Sequence, residues 1–241
     1  MTDLLTVAWK EAKCLFRHQG SRLRYLLTWL GPLALAVYVP LDAGMRWTEA
    51  YSTSLFIAVL VPLMLVSVTV PDSFAGERER HTLETLLASR LNDRAILFGK
   101  LGLAIAVSWG TTLLVLLLSL VTVNVAHWTG AIVFYRPAVA LANLVFSLLA
   151  TVLFAGVGVL ISLHAATARE AAQMLMAIFM LPPMVLAVGA FLFSDQVDAW
   201  LRTQSPGQIG LAAAALLALL DVAVVALAQA RFRRARLVAV Q

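Results

Sequence analysis

The side chains able to do covalent chemistry in this 241-residue sequence are few and scattered. Four histidines, His18, His81, His127 and His164, share no HxxxH spacing, and a single cysteine, Cys14, excludes an internal disulfide and any multi-thiolate metal site. The only Gly-Lys pair, Gly99-Lys100, is no phosphate loop. G-x-x-x-x-G-K-[S/T] needs Gly where Arg94 stands and a hydroxyl residue where Leu101 stands. An intramembrane enzyme would need a nucleophile–base pair or metal ligands meeting at one depth. The long apolar stretches contain no histidine, and Asp221 is their only carboxylate. No catalytic residue, metal ligand or resident cofactor is assigned to this chain.

Polar residues within the apolar stretches remain candidates for another kind of chemistry, passage of a solute. A carboxylate near mid-membrane costs on the order of 3 kcal/mol, so Asp221 must face protein or water. It either contacts a polar substrate or titrates during transport, or it sits protonated or hydrogen-bonded at a helix contact. Asn143 and Asn124 line a pathway or bond across helices. Pro182-Pro183 removes two successive backbone donors and should break its helix, as a hinge, a substrate-facing break or a kink. Gly156 and Gly158 permit close helix packing, and His127, Trp128 and Tyr135 sit where headgroup-level aromatic anchors are expected.

Composition sets what must hold these residues. The chain is 61% hydrophobic and 13% charged, with mean hydropathy +0.89. A soluble domain carries roughly 25% charged side chains to hydrate its surface, so the solvent for most of this chain is lipid. Apolar runs of about 20 residues span roughly 30 Å of hydrocarbon as helices. Six are read here, at 25–41, 52–70, 95–123, 138–163, 174–193 and 207–230, within a transmembrane domain 25–230. The polar-rich residues before the first run are not the pattern of a secretory signal peptide.

The net charge of +5 points to basic membrane flanks rather than nucleic acid. Of the 18 Lys and Arg residues, all but Arg46, Arg136 and Arg202 fall on one side of this topology. The positive-inside rule then places both termini and the 71–94 and 164–173 loops in the cytoplasm of a multi-pass inner or plasma membrane protein. Residues 231–241 form a basic cytoplasmic tail. Residues 1–24 read as an amphipathic helix, with Leu5, Trp9, Ala12 and Phe16 opposite a stripe that includes Lys10, Lys13 and Arg17. Such a helix suits the membrane interface, its cations toward anionic headgroups, or packs on protein.

The most distinctive stretch lies between the second and third runs. Glu77-Arg78-Glu79-Arg80-His81 is followed by Thr82-Leu83-Glu84-Thr85-Leu86-Leu87, with Leu91 continuing a helical apolar face. Thr82 is placed to N-cap this short helix and Glu84 to meet its positive end, while Asn92 or Asp93 caps the next. Its leucines fold back onto the bilayer or enter a groove on a cytoplasmic partner.

This segment resembles the E-R-E-x-x-T-L-E-x-L-L signature of ABC-2 type transporter permeases, which ends in Gly-Lys at the third span, here Gly99-Lys100. One departure is Ser89-Arg90-Leu91, where many relatives carry a proline. The resemblance implies an all-α polytopic fold with an interfacial N-terminal helix, six spans and a cytoplasmic coupling helix over 82–91. It further implies the permease half of an ABC exporter, paired with a second permease copy, as homodimer or with a related chain. Two copies of a separate ATPase subunit would bind ATP and Mg and dock on Glu77, Arg78, Glu79, Arg80, Thr82, Leu83, Glu84, Leu86 and Leu87. A broken fifth span would fit closure of the pathway. The rivals are a non-transporting anchor or assembly subunit and an intramembrane enzyme.

Overall fold

The computed structural model describes residues 6–7, 9–13, 22–80, 92–192 and 205–232, and these are helical with short connections and no strand. Beyond helical residues 6–7 and 9–13, the elements are α1 (Arg22–Ala43), α2 (Arg46–Glu49), α3 (Tyr51–Glu79), α4 (Asp93–Ala126), α5 (Pro137–Ser162), α6 (Ala168–Leu192) and α7 (Pro206–Arg231). Of these, four stretches are long and apolar enough to cross a membrane: Thr53–Glu79, Asp93–Ala126, Pro137–Ser162 and Gly207–Arg231. In α1 the apolar part is the shorter Trp29–Ala43.

The six long helices alternate in direction. The start of α4 meets the end of α3 through Lys100 and Ser73, while the end of α3 reaches the turn after α5 through Arg78 and Leu163. Phe74 of α3 lies edge-on to Phe232, just past α7, with ring centroids 5.9 Å apart. One end of the bundle therefore gathers the ends of α3, α5 and α7 with the starts of α4 and α6; it is termed the charged end below. The helices α3 and α5 form the centre, with α4 and α6 packed on both, α1 on α4 and α3, and α7 on α5.

Packing follows residue size. A methyl group at Gly156 would come within 2.7 Å of Val224 on α7, and one at Gly158 within 3.1 Å of Val70 on α3. These two positions point to nearly opposite sides of α5, so each glycine admits a different neighbour. Toward the charged end the core joins Val70 and Phe74 with Ile96, Leu97, Phe154, Val159 and Leu175, and a second cluster at the opposite end surrounds Trp47. Several buried hydroxyls are satisfied by their own helices: Thr112 donates to the Ser108 carbonyl, Thr151 to Ser147 and Ser162 to Gly158. Between helices, Trp109 Nε1 donates to Ser147 Oγ at 3.1 Å. Leucines and valines such as Leu114, Val121, Leu219 and Val222 stay more than half exposed on the outer faces, where lipid is the fitting solvent.

Two boundaries differ from the sequence reading. Residues 71–79, read as loop, continue α3 to Glu79 despite Pro71. At 29 residues α3 is about 43 Å long, well beyond a hydrocarbon thickness of about 30 Å, so a helix need not end where lipid does. Likewise α6 begins at Ala168 and runs unbroken through Pro182 and Pro183 to Leu192. The prolines withdraw the donors that would serve the carbonyls of Ile178 and Phe179, yet the flanking turns keep the helix in register. The start of α4 is as read: Asn92 Oδ1 accepts from the Arg94 N–H at 3.2 Å.

Candidate functional site

Consecutive helical side chains are about 100° apart, so four in a row sweep the whole circumference. Glu77, Arg78, Glu79 and Arg80 stand at the end of α3 in this way, and each addresses a different neighbour. Arg78 Nη1 donates to the Ala165 carbonyl at 3.1 Å and Nη2 to the Leu163 carbonyl at 2.9 Å. A guanidinium there satisfies carbonyls left over at the end of α5 and opposes the negative end of its dipole. Glu79 Oε2 lies 3.4 Å from the Ala168 N–H, at the positive end of α6. That same turn is closed locally, with Thr167 Oγ1 accepting from the Glu170 N–H and Glu170 Oε2 from the Ala166 N–H. Arg80 folds back to Asp72 at 3.0 Å on its own helix.

Glu77 faces inward. Its Oε2 lies 2.9 Å from Lys100 Nζ and its Oε1 3.0 Å from Lys10 Nζ. Lys100 also meets Glu11 Oε1 at 3.0 Å and the Ser73 carbonyl at 2.8 Å, and its side chain is 0% exposed. Lys100 thus donates to Glu11 and the Ser73 carbonyl and pairs by charge with Glu77, with the Phe74 ring 5.5 Å away. Lys10 and Glu11 lie 3.4 Å apart, which closes a ring of alternating charge. Burial works against the charged form of Lys10, but hydrogen bonding and charge from Glu77, joined by Glu11, outweigh it and raise its pKa.

The N-terminal segment is therefore packed on protein by one face. Val7 and Glu11 are buried while Trp9 is 66% exposed, with Lys13 over its ring. Of the two settings read for this helix, headgroups or protein, Lys10 takes the second by turning to Glu77, and the exposed side holds Trp9. Lys100 and Glu11 were missed as site residues. The available signal was a lysine two turns into an apolar helix, which requires an anion.

The proposed docking residues Thr82, Leu83, Glu84, Leu86 and Leu87 lie outside the described residues, as does His81. The pathway candidates are not brought together. Asp221 shares one face of α7 with Val224 and Ala228, turned toward α5, and is 7% exposed. Neither of its oxygens has a hydrogen-bond partner among the described residues, and α5 has no ionisable side chain. Asn143, 2% exposed on α5, likewise has no partner for either amide atom among the described residues, so the interhelical bond offered for it is not seen. Pro182 and Pro183 are exposed on α6.

At the opposite end, residues read as headgroup anchors bond within the protein instead. Trp47, fully buried, donates from Nε1 to the Tyr135 hydroxyl at 2.7 Å, which donates to the Leu116 carbonyl at 2.9 Å. Burial pushes the Tyr135 pKa up to about 12, against a smaller lowering by the Trp47 bond. His127 Nε2 bonds the Leu41 carbonyl, and Asn124 pairs with both backbone groups of Val133. Trp128 and His127 keep the exposure an anchor needs, while Tyr135 is half-buried.

A family model described as ABC-2 family transporter protein matches residues 42–205, about two thirds of the chain. The chain belongs to the ABC-2 transporter family. No curated protein is matched. The matched region of this ABC-2 permease runs from the end of α1 through α6, so it includes the charged end of α3 and the 81–91 segment beyond it. A multi-pass membrane component of a transporter is the coarse description that the family and the apolar helices give together.

Proposed function

We propose that this permease forms the translocation pathway of an ABC exporter and is driven by a separate ATPase. The observation that carries the reading is the hub at the end of α3. Glu77, Arg78 and Glu79 join that helix to α4, to the turn after α5 and to the start of α6. A push on the adjoining 82–91 segment would therefore reach three helices at once. In this reading α1 and α6 also cross the membrane, giving six spans, and the charged end is cytoplasmic by its basic residues.

Two ATPase subunits would bind ATP and Mg and dock on 82–91, with Leu83, Leu86 and Leu87 entering a groove and Thr82 and Glu84 setting the helix start. Two permeases, identical or related, would enclose the pathway, and docking would favour one of two packings of the pair. Asp221, buried against α5 and without a partner among the described residues, is the group that separation of α5 and α7 would offer to a solute, while Asn143, one turn from Ser147 on the α5 face toward α4, would be offered by separation of α5 and α4. Pro182 and Pro183 leave α6 with weakened hydrogen bonding at its middle, where it can bend.

The test is reconstitution of the permease with a co-purified ATPase in proteoliposomes, using ethidium and a fluorescent phosphatidylethanolamine as probes. ATP hydrolysis should drive movement of at least one probe, and Glu84→Arg should leave hydrolysis in place while movement falls at least tenfold. Equal movement by Glu84→Arg would remove 82–91 from the drive train.

A further inference from the structure

Lys10, Glu11, Glu77 and Lys100 form their closed ring from three separate elements: the N-terminal segment supplies two charges, α3 one and α4 one. Lys100 is its centre, with no exposed side-chain surface, donating to Glu11 and the Ser73 carbonyl and paired by charge with Glu77 at 2.9 Å. A buried ring of this kind contributes little stability over apolar packing of the same volume, because desolvation offsets the attraction. What it fixes is register. Each ion has one set of partners, and sliding the N-terminal segment by a single residue would turn Glu11 away from Lys100 by about 100°.

The surrounding packing agrees. Val7 and Glu11, one turn apart, make the buried face of the segment, and Trp9, about 160° round from Val7, is turned out. Lys10 and Glu11 of the segment reach Glu77 and Lys100.

We propose that the N-terminal helical segment is strapped through Lys100 to the charged end of α3, so that it moves with the hub as one body. Lys100 is a positioning residue: it contacts no solute and acts by holding Glu11 against Glu77. The strap adds the N-terminal segment to the helices that α3 moves, and so delivers the same displacement to the chain entering α1. The inference rests on the permease reading above, since a driven displacement needs a driver.

The test uses the permease with its co-purified ATPase in the same proteoliposomes. Lys100→Met combined with Glu11→Gln removes one charge of each sign, so no buried ion is left uncompensated. The strap predicts unchanged ATPase co-purification, hydrolysis within about twofold of the parent, and probe movement per ATP lower by at least tenfold. In a Cys14→Ser background, Glu11→Cys with Lys100→Cys should behave the same, and joining the two cysteines with a short bismaleimide should restore most of the loss. A merely structural role would alter yield and melting but not the ratio of movement to hydrolysis, nor would the cross-link restore it. An unchanged ratio in the uncross-linked variants overturns the strap while leaving the permease reading intact. If the parent chain binds no ATPase, that reading falls and the strap falls with it.

Discussion

Single side chains in this permease separate into those whose partners are fixed and those left without any among the described residues. Tyr135 belongs to the first group, joining Trp47 to a carbonyl of α4. Tyr135→Phe should lower stability by about 1–3 kcal/mol, because the buried indole N–H loses its acceptor, measured by thermal unfolding in detergent. With the phenol pKa raised from 10.0 to about 12, its neutral form is favoured in the folded state. The contribution is therefore complete below pH about 10 and lost as pH rises toward 12. A pH series of melting temperatures should show that loss in the parent and lack it in Tyr135→Phe. Asp221 belongs to the second group, and Asp221→Asn should keep the fold while changing which probes are moved; equal probe selectivity would make it a packing residue. That Asp221 is unusual was legible in the sequence, since a lone carboxylate in an apolar run must face protein or water. The bonds of Tyr135, His127 and Asn124 were not, because aromatic and amide residues near a helix end fit both a headgroup and a protein partner.

Elements are legible where length and apolarity decide, and less so where polar residues continue a helix. The six long helices begin and end within a few residues of the apolar runs, except that α3 persists to Glu79 and α6 starts at Ala168. The residues responsible, Pro71 and Asp72 in one case and Arg169 and Glu170 in the other, look like loop by composition. They remain helical because the backbone bonds of α3 continue and because Thr167 and Glu170 cap α6. The doubled proline failed as a helix breaker for a related reason: neighbouring turns hold their bonds while only two carbonyls are freed. Close packing was the more dependable signal, since Gly156 and Gly158 do admit neighbours. Gly156→Val should cost about 1–3 kcal/mol through the clash with Val224 and weaken the α5–α7 contact, which differential scanning of the detergent-solubilised protein can measure. A melting curve matching the parent would mean that α7 can move off α5 freely.

At the scale of the whole molecule, the charged motif between the second and third apolar runs reads differently in three dimensions. Its first four residues bond within the protein, each to a different neighbour, and so form a hub. The sequence displays their alternation but not their targets, because Lys10, Leu163 and Ala168 are each more than sixty residues away along the chain. The 82–91 segment, next along the chain from the hub, is proposed to take the push of a separate ATPase and hand it to the helices bound there. A photoreactive amino acid at Leu86 or Leu87, activated in membranes that hold the native complement of proteins, tests this contact without any need to know the cargo. The account predicts a cross-link to one P-loop ATPase, weakened by Glu84→Arg. Cross-links to phospholipid alone, or to no P-loop protein, would contradict it.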